Sequence, residues 1–177
     1  DYLGIATCQL SNIIERRIAH MLDSNRNNGL PTLLVEHYGL NSGFMIPQYT
    51  AAALVSESKL LSHPASVDSI PTCENAEDYV SMGPIAGQKC RKIIENSEHI
   101  FAIELICAWQ ALHFRGVKPG HVSLQPSHSV KNLYQLIVHE GFEFVEKDQV
   151  PYSKINRMVA MIRSNKIVNL ARHISDL

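Results

Sequence analysis

No glycine or proline interrupts the chain from Lys89 to Phe114. Pro84 suits the first turn of a helix, where its missing N–H is no loss. Ala86, Cys90, Ile93, Ile94, Phe101, Leu105, Ala108 and Leu112 then continue one apolar stripe at helical spacing. A helix from Pro84 to Phe114 is roughly 46 Å long at 1.5 Å per residue. Typical globular helices run about 8–20 residues. A rod of that length needs an elongated bundle around it. Ile100, Ile103, Ile106 and Trp109 fall off the stripe, so several faces are expected to be covered.

The rest of the chain reads as helix and loop, giving an all-α fold: an elongated helical bundle with one very long central helix. Leu3, Ala6, Leu10, Ile13, Ile14, Ile18, Met21 and Leu22 keep the 3.6-residue period, which predicts a helix over Tyr2–Leu22. Asn28-Gly29 marks a turn. Thr32 to Val35 is an apolar patch that reads as strand or extended chain. Asn41 or Ser42 is placed to cap the next helix. Pro47 confines that helix to a start near Met45 or Ile46, and it runs to Leu61. Gly116 to Pro126 is a Gly- and Pro-containing loop. Ser127 or Ser129 caps a fourth helix that weakens at Gly141. Ser153 opens a fifth and Ser164 a short sixth.

Composition narrows the function classes. The 177 residues carry 16 basic and 17 acidic side chains, a formal net charge of -1. That balance gives no electrostatic reason to expect nucleic acid or an anionic membrane as partner. Ile100 to Trp109, the best apolar run, is broken by Glu104, and a span needs about 20 apolar residues. No signal peptide is expected. Cys8, Cys73, Cys90 and Cys107 form no C-x-x-C pair, which reads as a reduced, cytoplasmic chain. None of the nine histidines has zinc spacing, so no metal is expected. The chain opens on Asp1, already in a helical pattern, and reads as begun partway through something larger.

His63 to Asp78 is a long polar stretch ending in Glu77-Asp78. Loops of that length are usually functional or disordered. Adjacent carboxylates point in different directions and do not make a facing pair. The plain reading is a pair of first-turn acids before the long helix, where the macrodipole favours negative charge. Met45 reads as core packing at a helix start, and Glu15-Arg16-Arg17 as a solvated, salt-bridged helix face.

Three blocks change these readings: Gly39-Leu40-Asn41-Ser42-Gly43-Phe44-Met45, His63-Pro64-Ala65-Ser66-Val67-Asp68-Ser69 and Glu77-Asp78-Tyr79-Val80-Ser81-Met82-Gly83. With Ser11-Asn12-Ile13-Ile14-Glu15-Arg16-Arg17 in support, they resemble, in order, the C-terminal half of the histidine ammonia-lyases, within the aromatic amino acid ammonia-lyase family. The resemblance covers residues 1 to about 115 and fades after Gly116. It implies the ammonia-lyase (aspartase-like) fold, with residues 1–115 as bundle core around an active-site segment at 39–83. Residues 116–177 would be small helices of the same domain. It implies elimination of ammonia from L-histidine, a small-molecule amino acid substrate, to give urocanate, in a homotetramer whose active sites are shared between subunits.

By the same resemblance Glu77 is the catalytic carboxylate that meets the substrate amine or imidazole. Met45 is a substrate-binding pocket position, methionine in histidine-type lyases and lysine in phenylalanine-type ones. Asp78 keeps its structural reading. The family's electrophile, a methylidene-imidazolone group, forms from Ala-Ser-Gly, and this chain contains no Ala-Ser-Gly. Asn41-Ser42-Gly43 is a turn instead, and the segment alone is expected to be inactive. Tyr79 stands where the family has histidine, and no Pro-Asp-Ile block follows Gly116. A related aromatic amino acid lyase or aminomutase, and a non-catalytic helical oligomerisation module or truncated relic, are the alternatives.

Overall fold

The computed structural model describes residues 1–117 and 126–175. The Gly- and Pro-containing loop expected from Gly116 lies mostly outside the described residues. Among the described residues six helices follow in order: α1 (Tyr2–Leu22), α2 (Met45–Leu61), α3 (Gly83–Val117), α4 (His128–His139), α5 (Tyr152–Arg163) and α6 (Lys166–Ser175). No strand occurs among the described residues. α3 is 35 residues long, roughly 52 Å at the helical rise. It is the axis of the molecule, with α1, α2 and α5 packed along it and α1 also against α2.

The core follows from which side chains face that axis. Ile14, Ile18 and Leu22 of α1 meet Ala51 and Val55 of α2, and Ile100, Ile103 and Ile106 of α3, all buried. Ile137, Phe142, Val145, Met158 and Val159 extend the same core towards the C-terminal helices. The expected coverage of Ile100, Ile103, Ile106 and Trp109 is observed: each is at most 4% exposed. On α1 the expected face is wrong in part. Leu3, Ala6, Leu10 and Ile13 point outward, while Gly4, Cys8, Ser11 and Glu15 are buried. The reason is close approach. A Cβ on Gly4 would lie 3.1 Å from Ile93 Cδ1, so α1 turns its small residues to its neighbours.

Local chemistry sets the ends. Asp23 closes α1 with an Asx turn, its Oδ1 accepting from Asn25 N at 3.0 Å. Ser127 Oγ accepts from Val130 N and caps α4. Gly141 (φ 77°) ends α4 in the left-handed region, and Phe142 N donates back to Ile137 O. The Arg157 guanidinium lies over the Phe142 ring at 5.1 Å. α4 is pinned to α3 by stacking of Tyr134 on Trp109, centroids 5.9 Å apart, and by a 2.9 Å hydrogen bond between Tyr134 Oη and His113 Nδ1.

Three local expectations are corrected. Thr32–Leu34 is a 3-10 turn, neither strand nor extended, with Leu33 (φ 56°) and Leu34 (φ 53°) left-handed. Neither Asn41 nor Ser42 caps α2, whose N-cap is Phe44 with no side-chain cap bond. α3 begins at Gly83, so Glu77 and Asp78 lie outside its first turn and no dipole argument applies to either.

Candidate active site

The approach to α2 is a tightly held loop. Gly39 (φ 102°) and Gly43 (φ 51°) take backbone conformations that suit glycine. At Gly43 space forbids anything larger: a Cβ would sit 2.5 Å from Leu33 O and 2.7 Å from Val35 Cβ. Phe44 N donates to the same Leu33 carbonyl at 3.1 Å. On the other side, Asp148 accepts from Ser42 N with both carboxylate oxygens at 2.9 Å and from Gly43 N at 2.8 Å. Asn41 Nδ2 donates to Glu36 O. Met45 is thereby the first residue of α2, half-buried, at the exit of a loop fixed from both faces.

Residues 62–82 form an exposed strap. Its base is tied to the start of the bundle. Ser66 N donates to Asp1 Oδ2 at 2.8 Å, and Lys89 Nζ donates to His63 O while pairing with Asp1 at 3.9 Å. Farther on, Val80 N donates to Ser69 Oγ at 2.9 Å. At the tip Thr72 and Glu77 pair as an antiparallel bridge. Between them Cys73, Glu74 and Asn75 all have positive φ, 52°, 53° and 68°. Left-handed non-glycine residues are strained, and such strain clusters at functional sites. The turn leaves Glu77 exposed, with Oε2 accepting from Thr72 Oγ1 at 2.7 Å. Oε1 has no hydrogen bond among the described residues. Such a carboxylate can still take a proton or a charged donor. Asp78 is exposed beside it. No hydrogen bond joins residues 39–45 to residues 62–82, so the chain holds Met45 and Glu77 by separate braces.

A polar seam runs between α1, α2 and α3. Glu15 is 3% exposed. It accepts from Arg16 at 2.6 and 2.7 Å and from Gln48 Nε2 at 2.8 Å. Glu104, also buried, pairs with Arg17 Nε at 2.8 Å. Burial raises the Glu104 carboxyl above its ordinary value, against the lowering pull of Arg17. One turn on, burial and then the charge of Glu104 push the Cys107 thiol up, which leaves it inert as a nucleophile. The Glu15-Arg16-Arg17 motif is thus more than a solvated face: its glutamate is interior and locks α1 to α2.

Gln110 is the residue that sequence reasoning missed. It is fully buried and saturates three backbone groups. Nε2 donates to Leu34 O at 3.0 Å and Val145 O at 2.9 Å, and Oε1 accepts from Val145 N at 3.2 Å. The available signal was a lone amide in the apolar half of the long helix. Asp148, the loop's anchor, had no signal, because its contacts lie more than 100 residues away in sequence. Between the loop and α5 is an apolar cleft lined by Phe44, Pro47, Ile103, Ile106 and Ile155. Lys154 borders it, donating to Glu143 O at 2.8 Å. Neither Met45 nor Glu77 lines this cleft. Among the described residues no group of three His, Cys, Asp or Glu could hold a metal, and no helix is long and apolar enough to cross a membrane.

Comparison with known proteins agrees with this architecture. Residues 1–138 match the family model for aromatic amino acid lyases. Histidine ammonia-lyase 1 of Fusobacterium nucleatum is 47% identical over 178 aligned residues, covering 100% of this chain and 33% of that protein. The histidine ammonia-lyase of Treponema denticola is 44% identical, covering 96% of this chain and 32% of its own length. The chain therefore spans about a third of the length of the curated relatives it matches. Among solved structures, histidine ammonia-lyase from Trypanosoma cruzi overlays with a TM-score of 0.86 at 38% identity, covering 96% of this chain and 32% of that one. Tyrosine aminomutase from Streptomyces globisporus also gives 0.86, at 30% identity, covering 96% of this chain and 31% of that one. A match over most of the chain, carried on the long-helix bundle described above, places this chain in the aromatic amino acid lyase family.

Proposed function

We propose that this chain forms the C-terminal part of a histidine ammonia-lyase, an enzyme that eliminates ammonia from L-histidine to give urocanate. The observation that carries the reading is the 47% identity to a histidine ammonia-lyase across the full length of this chain. In it Glu77 is the catalytic carboxylate, meeting the substrate amine or imidazole, and Met45 is a wall of the substrate pocket. The exposed strap supports the role of Glu77, since it leaves one carboxylate oxygen without an intramolecular partner. The braced loop supports Met45, since a pocket wall must be held still. Residues 1–115 would form the bundle core and 116–177 the small helices of one domain, in a cytoplasmic homotetramer.

The methylidene-imidazolone group expected of such an enzyme does not fit the residues of this chain. It forms from Ala-Ser-Gly, which the sequence lacks. In the nearest match, Asn41-Ser42-Gly43, the Gly43 N–H is committed to Asp148. The group belongs to residues an enzyme of full family length carries elsewhere.

The rival reading is an aminomutase or another aromatic amino acid lyase. Overlay does not separate them, since the TM-score is 0.86 for both solved structures, but identity favours the histidine enzyme, 38% against 30%. The test is an enzyme of full family length with this chain as its matching third. It is offered L-histidine, L-tyrosine or L-phenylalanine, and the elimination product is followed by absorbance. Urocanate from L-histidine as the preferred product supports the reading. Preference for either other amino acid, or a β-amino acid product, defeats it.

A further inference from the structure

We propose that Asp148 is a positioning residue for the substrate pocket: its carboxylate fixes the Ser42–Gly43 backbone and so sets where Met45 enters α2. The role given to Met45 rests on the histidine-lyase reading above; the clamp itself does not.

Three observations carry it. First, the contact is specific. Both Asp148 oxygens accept from Ser42 N at 2.9 Å, and Oδ1 also accepts from Gly43 N at 2.8 Å. In return Asp148 N donates to Asn41 Oδ1 at 3.3 Å. Hydrogen bonds to an ionised acceptor are the strong kind, and these two amides have no backbone acceptor of their own. Second, the loop is held from the opposite side. Gly43 is left-handed and pressed against Leu33 O and Val35, so the clamp closes on a backbone that cannot retreat. Third, the clamp has a rigid mount. Val145, three residues before Asp148, is locked by two hydrogen bonds to the buried Gln110 side chain of α3. Gln110 also holds Leu34, next to the residue that Gly43 and Phe44 contact. Residues 142–148 therefore carry the position of α3 across to the start of α2. They lie beyond residues 1–138, the part that matches the family model.

The test has two arms. In the full 177-residue chain, amide hydrogen exchange is read at Ser42 and Gly43, with Val55 and Ile103 as core references. Asp148→Ala is expected to speed exchange at both loop amides about tenfold while the references hold, a local opening. Asp148→Asn keeps one acceptor oxygen and should fall between. In the enzyme of full family length, Asp148→Ala should raise KM for L-histidine about tenfold with kcat changed far less, the signature of lost binding geometry. Asp148→Asn should recover part of that loss. Unchanged exchange at Ser42 and Gly43 overturns the clamp whatever the activity. Faster exchange with unchanged KM overturns the pocket role and leaves Asp148 merely structural. If the enzyme with Asp148 intact does not use L-histidine, the histidine-lyase reading has failed and the pocket role falls with it. The exchange arm then shows separately whether the clamp exists.

Discussion

Single residues carry the sharpest expectations. Gln110 satisfies three backbone groups of two loops from inside the core. Leaving a buried donor or acceptor unsatisfied costs about 1–3 kcal/mol. Gln110→Leu, which keeps the bulk and removes the partners, should lower unfolding stability in urea by about 3 kcal/mol. A loss below about 1 kcal/mol would mean water replaces the side chain. Glu77 should behave in the opposite way, because its exposed carboxylate contributes little packing. In an enzyme of full family length, Glu77→Gln is expected to cost about 10²–10⁴-fold in rate, with stability changed by less than about 1 kcal/mol. Asp78→Asn is the control and should stay near wild type in rate; equal losses in both would reassign the strap to a structural role. Glu104 predicts a pH effect. Its folded-state pKa is raised by burial, so the folded chain holds this proton where the unfolded chain has released it. The stabilisation from this group is therefore present below the unfolded value and is lost as pH rises through the raised value. Glu104→Gln should flatten that part of the pH profile of the thermal midpoint, and an unchanged profile would show that Glu104 does not carry it.

At the level of elements, helices were legible and their faces less so. α1 and α2 follow from periodicity and Pro47, and α3 from the absence of breakers, because those signals are local. The outward turn of α1 was hidden because the buried side of its first half is made of Gly4, Cys8 and Ser11, with Glu15 following. A periodicity argument takes small and polar residues for surface, yet small residues are what lets two helices approach closely. This is testable. Ser11 is fully buried, so Ser11→Leu should overpack the seam and cost roughly 1–3 kcal/mol. Leu10, 48% exposed, should tolerate alanine with a loss of no more than about 0.5 kcal/mol. The opposite ranking in thermal unfolding would restore the face first read from the sequence. The loops were the least legible. Leu33, Leu34, Cys73 and Glu74 are left-handed without being glycine or asparagine, so nothing in their residue type announces it. Leu34 is held by Gln110 from across the molecule, and a local reading cannot see that. Of the candidate site, Met45 and Glu77 were legible as positions in motifs, whereas what braces Met45 was not: Asp148 and Gln110 act over long sequence distances.

The whole molecule shows a bundle whose long axis is covered, as expected, and whose first helix leaves an apolar row bare. On α3 the expected coverage holds: α1, α2 and α5 pack along it, and of its large apolar residues among the described ones Ile85 and Ile94 remain open, at 49% and 38%. One bare row is on α1, where Leu3, Ala6, Leu10 and Ile13 recur at helical spacing and all face outward. Leu3, Leu10 and Ile13 are 62%, 48% and 57% exposed. A contiguous apolar row on one helix is the kind of patch that marks an association surface. The net charge of -1 offers little repulsion to oppose it. The chain is therefore expected to self-associate, and light scattering at micromolar concentration should give at least a dimer. Replacing Leu10 and Ile13 with lysine together places two charges in the middle of the row without touching the core. That variant should run as a monomer with unchanged helical circular dichroism. A monomer mass for the unsubstituted chain would defeat the expectation. An oligomer that survives both lysines would move the contact elsewhere on the bundle.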